Sequence, residues 1–195
     1  MEETLDLLPQ YGEVSIAFRI ESELQFEPVD RGLGGWSVTE RTTRSRSRRN
    51  YDQDEGESPT LWAEQLGDIS NWGVLSAFDG QRRTGGAAVA WKTPGVHMLE
   101  GRDDLACLWD IRVDPSYRRE GAGSMLFERA AAWARDRGCR RLKIETQNIN
   151  VAAFKFYAHQ GCELRAIHPG AYADLPNEVM LLRYLDLQAA KFDRF

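Results

Sequence analysis

Cysteine is scarce in this chain and never paired in sequence. Cys107, Cys139 and Cys162 are odd in number, far apart and set among apolar residues. No Cys-x-x-Cys occurs, so neither a zinc cage nor a disulfide framework is indicated, and buried free thiols in a reducing compartment are expected. No apolar run is long enough to cross a bilayer, and the N-terminus has no signal-peptide pattern, which points to a cytoplasmic protein. Repeats and low-complexity tracts are missing. Histidine is limited to His97, His159 and His168, none of them placed by a motif. A cysteine nucleophile would need such a base, so covalent catalysis through Cys107 or Cys162 is not expected. Excess positive charge is absent as well. The net charge of −5 argues against nucleic-acid or anionic-membrane partners and suits a cationic small substrate, although mild acidity is also ordinary for cytosolic proteins.

What remains is the composition of a soluble globular protein, 42% apolar and 28% charged over 195 residues, enough for one domain with a full core. Residues 1–11 read as a loosely held terminus. Alternation of Val14, Ile16, Phe18 and Ile20 predicts a strand within Glu13–Val29. In residues 40–57, Arg41, Arg44, Arg46, Arg48 and Arg49 alternate with Ser and Thr, and Asp52, Asp54, Glu55 and Glu57 follow. Such blocks read as a solvated loop, and the acidic half would repel phosphate, which disfavours a nucleic-acid arm. Ser58-Pro59 opens a short helix to about Leu66. Strands are predicted over 72–78, 84–91, 105–114, 141–146, 162–167 and 178–187, and helices over 124–138 and 150–159. Hairpins followed by strand–helix–strand crossovers imply a mixed sheet with helices packed on it.

The most informative stretch joins the 105–114 strand to the 124–138 helix: Arg118-Arg119-Glu120-Gly121-Ala122-Gly123-Ser124. A strand that turns through glycines into a helix leaves the first helical N–H groups aimed at one spot, where the macrodipole adds positive charge. Gly121 and Gly123 let a ligand approach the backbone, and Arg118 and Arg119 add full charges. This is a diphosphate cradle of neither common type, since no Lys-Ser/Thr follows the second glycine and the spacing is not the dinucleotide one.

The run Arg118–Gly123, preceded by Val113-Asp114-Pro115, resembles the acyl-CoA motif Arg/Gln-x-x-Gly-x-Gly/Ala of the GNAT (Gcn5-related) N-acetyltransferases. Asn150-Val151-Ala152-Ala153-Phe154-Lys155-Phe156-Tyr157-Ala158-His159-Gln160-Gly161 resembles that family's second motif, Asn-x-x-Ala-x-x-Phe-Tyr-x-x-x-Gly. Within the family, Trp109-Asp110-Ile111-Arg112-Val113 and Lys143-Ile144-Glu145-Thr146-Gln147-Asn148-Ile149-Asn150 are similar to the streptothricin acetyltransferase type. The resemblance is specific over about 105–165 and says little about 1–60.

It implies an α/β fold: a mixed, mostly antiparallel twisted sheet of six to seven strands flanked by helices and splayed in the middle to admit acyl-CoA. One domain over 1–195 is expected, with acceptor-side elements at 12–104, the acyl-CoA core at 105–165, and C-terminal strands and tail at 166–195. It also implies direct acetyl transfer from acetyl-CoA, without metal, to a primary amine of a cationic small molecule such as a streptothricin-like antibiotic, a resistance-type activity. A protein or peptide amine is the alternative acceptor, and a non-catalytic acyl-CoA-binding module is the alternative function. Homodimers occur in the family, and the C-terminal strand offers one such contact.

By the same resemblance, Arg118, Arg119, Glu120, Gly121, Ala122, Gly123 and Ser124 hold the diphosphate. Backbone groups of Ile111, Arg112 and Val113 pair with the pantetheine arm, joined by Asn150, Ala153 and Phe156. A backbone N–H of 109–113 serves the oxyanion. Tyr157 is the general acid, its alternative being an aromatic at the core edge. Asp110 and Glu145 attract or deprotonate the ammonium, or else serve in ordinary ion pairs such as Asp110 with Arg112. Trp109 and Tyr172 either line the acceptor pocket or belong to the core.

Overall fold

The computed structural model describes residues 1–54 and 56–188, and the backbone alone at 44–46. Nine strands and four α-helices are described: β1 (Glu2–Glu3), α1 (Leu8–Gly12), β2 (Phe18–Pro28), β3 (Trp36–Arg49), α2 (Trp62–Leu66), β4 (Gly73–Asp79), β5 (Arg82–Ala90), β6 (Leu105–Val113), α3 (Ala122–Asp136), β7 (Arg141–Gln147), α4 (Val151–His159), β8 (Glu163–Pro169) and β9 (Val179–Asp186). A seven-stranded sheet has the order β1-β4-β5-β6-β7-β9-β8, and β2 with β3 forms a separate antiparallel ribbon. Pairing is antiparallel from β1 through β6 and parallel between β6 and β7. The mixed α/β fold expected from the sequence is therefore present. The chain divides into two compact units, Met1–Ala17 with Asn50–Ile144 and Tyr184–Phe195, and Phe18–Arg49 with Glu145–Arg183.

In the first unit, α3 buries Leu126, Phe127, Ala130, Ala131, Trp133 and Ala134. That 3–4 residue recurrence is why the segment is helical in water. Positive-φ Gly138 follows the helix end. Leu8, Tyr11, Trp62, Trp72, Val74, Ala88 and Cys107 belong to one cluster, with Trp62 and Trp72 ring centroids 5.6 Å apart.

Residues 1–11 correct the expectation of a loose terminus. The Met1 ammonium donates to the Ser76 carbonyl at 2.8 Å, and Glu3 accepts from both Arg83 and Ser76. Leu8 and Tyr11 are buried. Polar anchors and two apolar residues, too few to show a period, hold this segment.

In the second unit, Leu24, Val151 and Leu181 form the core with Phe26, Phe154, Leu164, Ile167 and Val179. The solvated loop expected over 40–57 is corrected over 40–49, where β3 continues through Arg49, paired with β2 up to Arg49↔Phe18; residues 50–54 and 56–57 lie outside the strands, and Glu55 lies outside the described residues. A ribbon open to water lets Arg, Ser and Thr alternate without apolar spacing, so charge alone does not exclude a strand. The strand expected from Glu13 begins only at Phe18, although Val14 and Ala17 are buried.

Candidate functional site

In the first unit the site begins at the half of β6 beyond its ladder with β7. β7 pairs with β6 only from Leu105↔Arg141 to Leu108↔Ile144, whereas β5 pairs with it as far as Val113. Past Leu108, therefore, the β7-side edge of β6 carries backbone N–H and C=O groups outside that ladder. The register with β5 skips Trp109, since Val89 faces Leu108 and Ala88 faces Asp110. Such a bulge bends the strand and re-aims the residues after it. Trp109, Ile111 and Val113 are half-buried, and Asp110 and Arg112 are buried on the other face.

β6 leads into a turn fixed at both ends. Asp114 Oδ1 accepts from the Ser116 N–H at 2.9 Å, and its Oδ2 pairs with Arg82 at 2.9 Å. Tyr117 donates to Asp79 at 3.0 Å. Arg119 and Gly121 both adopt positive φ, 69° and 89°, curling the backbone before α3. A Cβ at Gly121 would meet nothing within 4 Å, so backbone conformation and an open approach, not crowding, require glycine there. Gly121 caps α3 without a side-chain hydrogen bond. A 15-residue helix thus presents its first N–H groups, Ala122, Gly123 and Ser124, beside exposed Arg119 and Glu120, which suits a diphosphate.

Arg118, exposed beside the turn, also makes hydrogen bonds within the chain. Its Nε donates to the Val113 carbonyl at 2.8 Å and its Nη2 to the Ala17 carbonyl at 3.0 Å. The guanidinium clamps the end of β6 to the chain after α1.

Asp110 is held by Arg112 and Tyr11. Arg112 Nε and Nη2 donate to its two oxygens at 2.9 and 2.7 Å, and the Tyr11 hydroxyl donates to Oδ1. The remaining Arg112 donors reach the Val14 carbonyl at 3.0 Å and both Asp52 oxygens at 3.1 Å, so all five N–H groups are used. Burial opposes the Arg112 charge, yet Asp110 and its neighbours raise the pKa further above the ordinary arginine range. Burial and the Asp110 charge push the Tyr11 hydroxyl well above the ordinary tyrosine range. Gly86, opposite Arg112, makes room for Tyr11, because a Cβ there would lie 2.4 Å from the Tyr11 ring. The ion pair of Asp110 with Arg112, one of the readings of that carboxylate, is present. Trp109 joins the core, with Trp72 at 5.5 Å.

In the second unit, Asn150 caps α4 by accepting from the Ala153 N–H at 3.1 Å. Tyr157 is buried one face round the helix, with half-buried Phe156 edge-on at 5.2 Å. Glu145 is half-buried at the end of β7 and accepts from the Tyr172 hydroxyl at 2.6 Å. Gln147 in turn donates to that hydroxyl at 3.1 Å. Buried Asn148 donates to the Leu24 carbonyl at 3.3 Å and the Asn177 carbonyl at 3.4 Å, and accepts from the Val179 N–H at 2.8 Å. Burial pushes the thiols of Cys139 up to about 11 and Cys162 up to about 12, which keeps both protonated at neutral pH.

Tyr11, Asp52, Gln147 and Asn148 were not foreseen as part of these networks. Tyr11 and Asp52 lie 99 and 60 residues from their partners, with no local signal. Gln147 and Asn148 stand inside the Lys143–Asn150 stretch, where the pattern marks a type of protein but not their bonds.

The acetyltransferase (GNAT) family model matches residues 37–162. Streptothricin acetyltransferase A of Bacillus subtilis (strain 168) is 35% identical over 91 residues, 46% of this chain and 53% of its own length. Streptothricin acetyltransferase of Streptomyces lavendulae is 33% identical over 69 residues, 35% of this chain and 36% of its own length. The chain thus spans about half or less of the curated relatives it matches. Among solved structures, nourseothricin acetyltransferase superposes with a TM-score of 0.73 at 17% identity, covering 96% of each chain. A streptothricin-acetyltransferase-like protein of Bacillus anthracis str. Ames, solved with acetyl coenzyme A, gives 0.73 at 23% identity over 95% of this chain and 97% of that one. At these identities the superpositions speak for the fold alone.

Proposed function

The chain belongs to the acetyltransferase (GNAT) family, and from that premise we propose that it transfers an acetyl group from acetyl-CoA to a primary amine of a cationic small molecule of the streptothricin type. The observation that carries the reading is the continuity of β6 with α3. An edge released from β7 after Leu108 runs through the positive-φ turn at Arg119 and Gly121 into the N-terminus of α3, whose N-cap Gly121 has no side chain to bond the helical N–H groups. An extended amide-bearing arm suits the strand edge, and a diphosphate suits the helix end. The names of the two curated relatives supply the acceptor class.

Acetyl-CoA would supply a thioester whose acyl carbon is open to an amine nitrogen. The N–H groups of Arg119 through Ser124 bind the diphosphate, with Arg119 as the adjacent full charge. Backbone groups of Ile111, Arg112 and Val113 pair with the pantetheine amides, and Asn150, Ala153 and Phe156 flank the arm. A backbone N–H of the 109–113 edge donates to the acyl oxygen as charge gathers there. Tyr157 donates a proton to the departing sulfur. Glu145 takes the proton of the incoming ammonium. Asp110, enclosed by Arg112 and Tyr11, contributes negative charge and strand alignment and leaves proton transfer to Glu145. An acetyl-CoA-dependent reaction of this kind belongs in the cytoplasm.

The test is thiol release from acetyl-CoA by the purified chain across a panel of amines that includes streptothricin and lysine-bearing peptides. Release with streptothricin, and a product heavier by one acetyl group, is expected. Turnover of peptides only would move the acceptor to a protein amine. A melting temperature raised by acetyl-CoA, with no thiol released by any amine, would leave a binding module in place of an enzyme.

A further inference from the structure

Glu145 and Gln147 are two apart on β7 and so share a face, while Thr146 between them is buried on the other. The Tyr172 hydroxyl bridges them, donating to Glu145 Oε1 at 2.6 Å and accepting from Gln147 Nε2 at 3.1 Å. A hydroxyl has one proton and an ionised carboxylate only accepts, so the direction is set: Gln147 amide to Tyr172 oxygen, Tyr172 proton to Glu145. The loop that carries Tyr172 is clasped to the same strand end. The Leu175 N–H donates to the Tyr172 carbonyl at 3.3 Å and the Glu178 N–H to the Leu175 carbonyl at 2.9 Å. Asn148, next to Gln147, then holds Asn177 and Val179. One strand end, Glu145 to Asn148, therefore fixes the loop at two points and receives the Tyr172 hydroxyl in return.

We propose that Tyr172 and Gln147 are positioning residues for the Glu145 carboxylate, holding Oε1 as an acceptor so that the group meets the acceptor's ammonium in one orientation. The inference rests on Glu145 as the base in the reading above. The physical ground is pre-organisation. A half-buried Glu free to rotate loses side-chain entropy when it is fixed; the Tyr172 bond, itself braced by Gln147, holds it before substrate arrives. An O–H···O⁻ bond of this length is charge-assisted and is the strong member of the pair. Gln147 acts at one remove, by donating to the hydroxyl oxygen while the hydroxyl proton is donated to Glu145.

Two measurements decide the matter. In protein labelled with ¹³C at tyrosine Cζ, the Tyr172 resonance, identified by its loss in Tyr172→Phe, is expected to move in both Glu145→Gln and Gln147→Leu. A resonance unmoved by either overturns the bridge, and this readout needs no turnover. In steady-state assays, Tyr172→Phe is expected to lower kcat by about 10- to 100-fold, the scale of a misplaced catalytic group. KM for acetyl-CoA should stay within about twofold, since a positioning role on the base leaves donor binding alone. Added to Glu145→Gln, Tyr172→Phe should cost nothing further, because the base that Tyr172 positions is already gone. Equal losses in both backgrounds would show that Tyr172 acts independently of Glu145 and would overturn the inference. Should no amine be turned over at all, the acetyltransferase reading fails, and the tyrosine resonance alone decides whether Tyr172 positions Glu145.

Discussion

Arg112 Nη2 lies 2.7 Å from Asp110 Oδ2, and the arginine side chain is fully buried. Both residues project from the buried face of β6 beside the edge assigned to the donor. A buried pair adds little net stability over an apolar pair of similar size, but removing one partner strands the other in low dielectric. Arg112→Met is therefore expected to cost about 3–5 kcal/mol, with both Asp110 and Asp52 losing their cation. At roughly 2–4 °C per kcal/mol for a chain of this size, the melting temperature should fall by about 6–20 °C. Asp110→Asn retains the amide as an acceptor and leaves Arg112 with Asp52, so it should cost clearly less. Equal losses in the two variants by thermal denaturation would remove Arg112 as the centre of the network.

Tyr157 separates chemistry from donor binding. It is buried on α4, so replacement by Phe keeps the packing and deletes only the hydroxyl. Turnover is expected to fall by about 10²- to 10⁴-fold, the range of general acid catalysis. KM for acetyl-CoA should change little. A turnover matching the unaltered protein would remove Tyr157 as the acid.

The strands from β4 onward, α3 and α4 were legible because each has a strong period and a turn residue at its end. The turn at Gly121 and the Asn150 cap were legible because a short local motif carries a local geometry. Legibility failed where partners are remote. Tyr11 reaches Asp110 across 99 positions, and nothing in a window around either residue signals it. The β2–β3 ribbon failed for another reason: its Arg/Ser/Thr alternation lacks the apolar half by which a strand is usually recognised. For Arg118 the motif places a cation at the turn, and no short pattern foretells its bonds to the Val113 and Ala17 carbonyls.

Gly121→Ala tests the cradle. With φ at 89° and no atom within 4 Å of the new Cβ, the cost comes from left-handed backbone strain, about 1–2 kcal/mol. Because the strain falls at the helix N-terminus, the chain can relax by shifting the amides of Ala122 and Gly123. KM for acetyl-CoA is expected to rise while acceptor KM stays put. Isothermal titration with coenzyme A checks this without turnover, and unchanged affinity would separate the turn from the diphosphate.

Glu3 governs an acid-sensitive contact of the N-terminal strand. Burial would raise its carboxyl, but hydrogen bonds from Arg83 and Ser76 and the Arg83 charge outweigh it and hold the carboxyl below the usual glutamate range. A carboxylate whose folded-state pKa lies below its unfolded value stabilises the fold above the unfolded value, and that contribution fades as pH falls toward the folded one. The native protein should therefore lose stability from about pH 5 downward, by the linkage between a glutamate near 4.3 unfolded and a lower value folded. Glu3→Gln removes this component, so its denaturation midpoint should lie below that of the native protein at pH 7 and approach it at low pH. The loss at pH 7 is expected at about 1–3 kcal/mol, the cost of depriving partly buried Arg83 and Ser76 of a charged acceptor. A constant gap between the two proteins from pH 7 to pH 3 would show that the contact acts through packing and not through the carboxylate's charge.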